Sequence, residues 1–411
     1  MSDKLALPKD VATWKFQSKS LRWKSIHEYE LACSGSEISR EQFLLLRTLW
    51  AECSIDQLYA QDRSIWIDDS SFQDARQFLS SSTIAPTWMQ FLKSISIHPE
   101  TLERQGYGLH IFSLVRYHQA QSQGLSFEGD DSAKVDMSPI AKRTRNKLRQ
   151  RAADQSSPTP APKVSDLVPS VVKLHLDDGT PDQVPTTPDR TSSSSSVSTP
   201  GDVSSPFKDP RVFKAIQDEQ IVNTALIEYL NALAIHCTQL EANWTLHRLP
   251  LIARDRAGLK TYEARVDGYL RRREDGQPLA IIEVKPFLRK KKPTAIRMQE
   301  SAQMASWINQ HRPPNLSQLR DTKQNIKRLL ISQDRHCIYL NFAVFDANYV
   351  DYICDKQGID LDAVSFLKMT EYGPFDVGDP SDMSKLGELV LGYTLGECRQ
   401  KPLSDNKPVE K

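Results

Sequence analysis

Three charged residues stand in stretches apolar enough to be buried strands: Asp267 within ARVDGYL, and Glu283 and Lys285 within LAIIEVKPF. An unpaired buried carboxylate is strongly unfavourable, so such groups persist only where something compensates them. A bound cation is a natural compensator, and the chemistry on offer is that of oxygen ligands around it. Strand side chains alternate with period two, which places Glu283 and Lys285 on one face and Ile282 and Val284 on the other. Asp267 on the neighbouring strand can face the charged pair. Upstream, Ile216, Glu219, Asn223, Leu226 and Leu230 follow spacings of three and four, so Glu219 and Asn223 fall inside the apolar stripe that should meet the sheet. Asp218 lies about 100° away on the helical wheel and is expected to face solvent, with no role.

The elements that must position these residues occupy positions 210–397, which read helix, strand, strand, strand, helix, strand and then mixed elements, an order that suits an α/β sandwich. The first helix is VFKAIQDEQIVNTALIEYLNALAIH. The strands expected are NWTLHRLPLI, EARVDGYLRR and PLAIIEVKPF, with Glu274-Asp275-Gly276-Gln277 turning between the last two. A helix over about Thr294–Asn309 and the β-prone run HCIYLNFAVFD follow.

An Asp, then Glu-x-Lys, preceded by a helix carrying Glu, is the motif of the PD-(D/E)xK nuclease superfamily. The stretches DEQIVNTALIEYL, ARVDGYL, AIIEVKP and IRMQESAQMASWI resemble that superfamily in its fungal branch. One departure weakens the motif: Val266 precedes Asp267, where the superfamily name records Pro. The resemblance implies a restriction-endonuclease-like α/β/α sandwich with a mixed central sheet, acting as a Mg²⁺-dependent nuclease, with DNA the expected substrate and Mn²⁺ an expected substitute ion. Asp267, Glu283, Glu219 and the backbone carbonyl of Val284 would then hold the metal, and water bound to it would be the nucleophile. Lys285 would orient that water or offset charge on the phosphate. Gln299 and Gln303, one turn apart on the following helix, join Asn223 as secondary polar positions.

Basic residues crowd the motif. Arg271, Arg272 and Arg273 end one strand, and Arg289, Lys290, Lys291, Lys292 and Arg297 follow the Glu-x-Lys strand, so a phosphate backbone is expected to bind there. Trp244, Trp307, Tyr339 and Phe342 read as core rather than as platforms for bases. No helix-turn-helix, zinc finger or RNA-recognition motif is readable.

The rest of the 411 residues divides in two. Residues 10–125 carry helical apolar patterns and are expected to form a small separate helical domain that could bind a protein partner. In SREQFLLLRTLWAEC, Ser39 and Gln42 have capping-box spacing, and Phe43, Leu46, Leu49, Trp50 and Cys53 continue one helical face. Between 129 and 209, Ser, Thr, Pro, Asp and Lys displace nearly every aromatic residue, the composition of a disordered linker. It carries seven Ser-Pro or Thr-Pro steps and, in the strip AKRTRNKLRQR, a basic cluster at residues 142–151, a candidate nuclear-import signal or nucleic-acid arm. The expected location is the nucleus, otherwise the cytoplasm. No apolar run approaches the ~20 residues that span a bilayer. The six cysteines lack metal or disulfide spacing. With 53 Lys+Arg against 52 Asp+Glu, net charge does not by itself argue for nucleic acid. The alternatives of another class are a catalytically inactive nucleic-acid-binding or scaffold protein that keeps the nuclease fold, and an interaction factor working through its N-terminal helices.

Overall fold

The computed structural model describes residues 6–21, 24–29, 34–97, 101, 109–125, 210–361 and 365–400, with side chains from 218 onward in the helix that opens at 210. The linker, its basic strip and its Ser-Pro and Thr-Pro steps lie outside the described residues. The principal helices are α1 (Val11–Gln17), α2 (Arg40–Leu45), α3 (Asp69–Leu79), α4 (Ala85–Ser94), α5 (Ser113–Gly124), α6 (Pro210–Ala234), α7 (Pro293–Gln310), α8 (Ala347–Ile353) and α9 (Pro380–Arg399). The strands are β1 (Thr48–Cys53), β2 (Ala242–Thr245), β3 (Leu249–Arg254), β4 (Lys260–Val266), β5 (Gly268–Arg272), β6 (Pro278–Lys285), β7 (Ile326–Asp334), β8 (Cys337–Phe345) and β9 (Leu367–Asp376).

Seven strands form one mixed sheet in the order β1-β9-β8-β7-β6-β5-β2, with β3 and β4 as a separate two-stranded ribbon. The β1–β9 and β6–β7 pairs are parallel and the others antiparallel. All of β6 is buried, its two charged residues included, as the apolar run 278–282 suits a strand covered on both faces. Alternation sends Ile282 and Val284 to a core shared with Leu226 and Leu230 of α6 and Leu386 and Val390 of α9. Ile281 turns to the opposite core, with Ala305 and Ile308 of α7 and Tyr349 and Ile353 of α8. The protein is therefore a mixed α/β fold whose central sheet is flanked by helices.

The expectation of a separate helical domain at 10–125 is corrected. Residues 1–133 and 213–411 form one compact unit. The capping box of Ser39 and Gln42 is present, but α2 ends at Leu45, and Arg47, at φ 52°, turns the chain into β1. There Thr48–Cys53 pairs with Leu367–Tyr372 of β9. Trp50 Nε1 also donates to Ser301 Oγ of α7 at 2.8 Å, so tertiary pairing overrides the helical spacing of Leu49, Trp50 and Cys53. Further along, Phe91 of α4 stacks on Phe112 and lies against Tyr229 of α6, with centroids 4.7 and 5.9 Å apart. The N-terminal block thus adds an edge strand and helices to the core itself.

Candidate functional site

The site begins at a break in a hairpin. β2 pairs with β5 as far as Thr245 opposite Tyr269, and β3 pairs with β4 from Leu249 opposite Val266. Three residues, 246–248, therefore stand across from two, 267 and 268. This is a bulge that bends the hairpin out of the main sheet and re-aims side chains at the bend. NWTLHRLPLI and EARVDGYLRR, each expected as one strand, are both broken at this level. Gly268 makes the bend possible, since a Cβ there would lie 2.6 Å from Thr245 O and 2.9 Å from Ile227 Cδ1. Asp267 is held at the seam from three sides. Its N–H donates to Ile282 O at 2.9 Å, its Oδ2 accepts from Val284 N at 3.1 Å, and its carbonyl accepts from Asn223 Nδ2 at 3.1 Å.

Glu283 and Lys285 share a face of β6, as alternation requires, and each is only 2% exposed. Lys285 Nζ and Gln299 Nε2 donate to Glu283 Oε1, the latter at 2.6 Å, and Gln303 Nε2 donates to Glu283 Oε2. Gln299 and Gln303 thus reach this strand from α7 as expected. Burial pushes the Glu283 carboxyl up to about 8, against the pull of Lys285, with Asp267 raising it further. Burial would draw the Lys285 ammonium down, but Glu283, Glu219 and Asp267 outweigh it and hold its pKa above the ordinary lysine value.

Glu219 arrives from α6 with its side chain 23% exposed. Burial, and then Asp267, raise its carboxyl above the ordinary range. Asp218, expected to face solvent, is buried instead. The buried face of α6 is wider than the expected stripe, for Val222, Ala225 and Tyr229 also lie inside, and Asp218 is one turn before Val222. The residue absent from the sequence reading is Arg248, which the bulge presents. Its Nη2 stands 3.1 Å from Glu219 Oε1 and 3.2 Å from Asp267 Oδ1, bridging the two carboxylates, with the side chain 42% exposed. Nothing in the run TLHRLP distinguishes this arginine; only the register slip does.

No family model, curated protein or solved structure matches this chain. The reading of the site therefore rests on its own chemistry. Among the described residues, no group of three or more His, Cys, Asp or Glu side chains is drawn close enough to hold a metal ion. The donor types nevertheless fit a hard, oxygen-seeking cation, with carboxylates from three elements at one seam. Three buried amide oxygens beside them, Asn223 Oδ1, Gln299 Oε1 and Gln303 Oε1, have no hydrogen-bond partner. Arg248 and Lys285 supply the positive charge that a metal would otherwise bring.

The basic residues divide. Arg271, Arg272 and Arg273 stand at the far end of β5, where Arg271 faces Pro278, the opposite end of β6 from Lys285. At about 3.3 Å per residue Arg271 lies roughly 13 Å along the chain from Asp267 and roughly 23 Å from the level of Lys285, so the three arginines stand on the side of the site away from Lys290, Lys291 and Lys292. Arg272 pairs with Asp275 at 3.0 Å in the expected turn. The expectation of Arg289 as a phosphate ligand is corrected. The side chain is 3% exposed, bound to Asp334 at 2.7 Å and to Glu300, Glu371 and Ser332, with its guanidinium 4.1 Å from the Tyr339 ring centroid. Burial opposes its charge, but Asp334, Glu300 and Glu371 outweigh that and keep its pKa above the ordinary arginine value. Arg297 pairs with Glu371 at 2.8 Å and Glu52 at 2.9 Å. Lys290, Lys291 and Lys292 remain exposed at the turn before α7, on the Lys285 end of β6. Trp244, Trp307 and Phe342 are core, as expected.

Proposed function

We propose that this chain is a divalent-cation-dependent phosphodiesterase acting on nucleic acid, with DNA the favoured substrate, on a restriction-endonuclease-like frame. The observation that carries the reading is the meeting, at one bend in the sheet, of Glu219 and Asp267, bridged by Arg248, with Glu283 and the buried amine of Lys285 paired on the adjoining strand. Such a collection of charge is unfavourable for folding and adds no packing that apolar residues would not improve, so a function is the natural reason for it. Asp267, Glu283, Glu219 and the carbonyl of Val284 would hold Mg²⁺ or Mn²⁺. When bound, the ion would polarise a phosphoryl oxygen and make water a better nucleophile. The chain's own part is to fix Asp267, its carboxylate through Val284 N and its backbone through Asn223, to exclude solvent from Glu283, and to set Lys285 Nζ where it offsets charge on a phosphate. Lys290, Lys291 and Lys292 would take the flanking backbone.

The test is cleavage of supercoiled plasmid by the full chain with Mg²⁺ or Mn²⁺. Nicked or linear product that EDTA abolishes is expected, and Asp267→Ala should lower the rate by about 100-fold or more while circular dichroism stays unchanged. A folded wild type that cuts neither DNA nor RNA with either ion would sink the reading. One observation favours the alternative of an inactive nucleic-acid-binding scaffold: Arg248 already bridges Glu219 and Asp267 without an ion. That reading predicts DNA retention on a gel with no product and no dependence on divalent ions.

A further inference from the structure

Arg248 and Arg289 both sit among carboxylates, and their settings differ. Arg289 is closed in by three acids, a serine and an aromatic ring, with 3% of its side chain exposed. Arg248 rises from an exposed bulge whose neighbours Leu246 and His247 also face water, and 42% of its own side chain is exposed. It meets the site through a single nitrogen, Nη2, placed between Glu219 Oε1 and Asp267 Oδ1. One positive charge there offsets two carboxylates, whereas a divalent ion would offset both. The buried Asn223 Oδ1, on the residue that holds the Asp267 carbonyl, is left without a donor. Half-exposed ion pairs of this kind are weak, so the guanidinium can leave, which that of Arg289 cannot.

We infer that Arg248 is a resident counter-ion which the divalent cation must displace from Glu219 and Asp267, and that the freed guanidinium then takes the phosphate of the substrate. This inference rests on the phosphodiesterase reading and assigns a new residue to it. Displacement sets a competition, because an ion that binds only when Arg248 is out shows an affinity reduced by the fraction of molecules in that state. A guanidinium fork is suited to a phosphate's paired oxygens, so the same side chain has a second use once released. The arrangement also leaves the two carboxylates bridged by one positive charge when neither ion nor substrate is present.

The experiment is Mn²⁺ titration by calorimetry on the full chain, wild type against Arg248→Gln, with plasmid KM measured on the same preparations. Arg248 is exposed enough for the variant to keep its fold, which circular dichroism would check. Arg248→Gln is expected to bind Mn²⁺ about 3- to 10-fold more tightly while its KM for DNA rises. Arg248→Lys, which keeps a charge without the fork, should restore the weaker Mn²⁺ affinity but not the KM. Equal or weaker Mn²⁺ binding by Arg248→Gln, in a protein whose wild type cuts plasmid, would overturn the displacement and leave the phosphodiesterase reading standing. Tighter Mn²⁺ binding with an unchanged KM would overturn the phosphate role. If neither protein binds Mn²⁺ and neither cuts, the functional reading fails and the inference falls with it.

Discussion

Removing Lys285 would leave the Glu283 carboxyl buried with two amide donors and no cation. Above about pH 8, where Glu283 is ionised in the wild type, stranding that buried charge costs about 3–5 kcal/mol, so Lys285→Met should show the loss in urea unfolding at pH 9 and a smaller one at pH 6, where the carboxyl holds its proton. Adding Glu283→Gln should return part of it, and additive losses would contradict the pairing. The acids around Arg289 supply a pH prediction. Burial pushes Glu300 up to about 7, with Arg289 opposing and Asp334 and Glu371 adding to the rise. The native state therefore binds this proton more tightly than the unfolded chain does. Its contribution is complete below about 4.5, the ordinary Glu value, and is lost as pH climbs through about 7. Melting temperature should fall across that window, and Glu300→Gln should flatten the slope. Glu283, Lys285, Gln299 and Gln303 were readable at this scale because charge in an apolar run and one-turn spacing are local signals. Arg248 and the closed setting of Arg289 were not, since each depends on where distant strands bring their acids.

At the scale of elements, the bulge decides where Asp267 points, and Gly268 decides whether the bulge closes. Gly268→Ala should destabilise the fold by about 1–3 kcal/mol through the clash with Thr245 O, measurable by thermal unfolding. It should also lower activity more than its stability loss explains, because Asp267 would shift with the bend. β6, β8, α6 and α7 were legible as long runs with clear apolar or helical patterning. β7 was not, because IKRLLISQD carries charge at both ends. The structure supplies the reasons: Arg328 lies 4.3 Å from the Trp307 ring centroid, and Ser332 and Asp334 bind Arg289. β1 was hidden for a different reason. No Gly or Pro marks the turn at Arg47, whose guanidinium sits 5.0 Å from the Trp14 ring and 4.9 Å from that of Tyr352. Those contacts hold a left-handed backbone that the sequence does not announce.

For the whole molecule, one compact unit built from 1–133 and 213–411 changes what a truncation means. Deleting residues 1–125 would strip β1 from β9 and uncover Tyr229 of α6, so the shortened chain should be insoluble rather than a free-standing catalytic module. Recovery of a soluble, cooperatively melting fragment 210–400 would refute this. The edge pairing of Thr48–Cys53 with Leu367–Tyr372 joins positions more than 300 apart in sequence, a closure that comes late and slowly in folding. The contacts that join β1 to β9, Trp50 to α7 and Phe91 to α6 do not need a continuous backbone between 125 and 210. The two pieces would behave as mated halves whose union depends on dilution once the tether that fixes their effective concentration is gone. A protease site placed near position 170 should thus yield fragments that travel together on gel filtration, part only in denaturant, and melt at a temperature that rises with protein concentration.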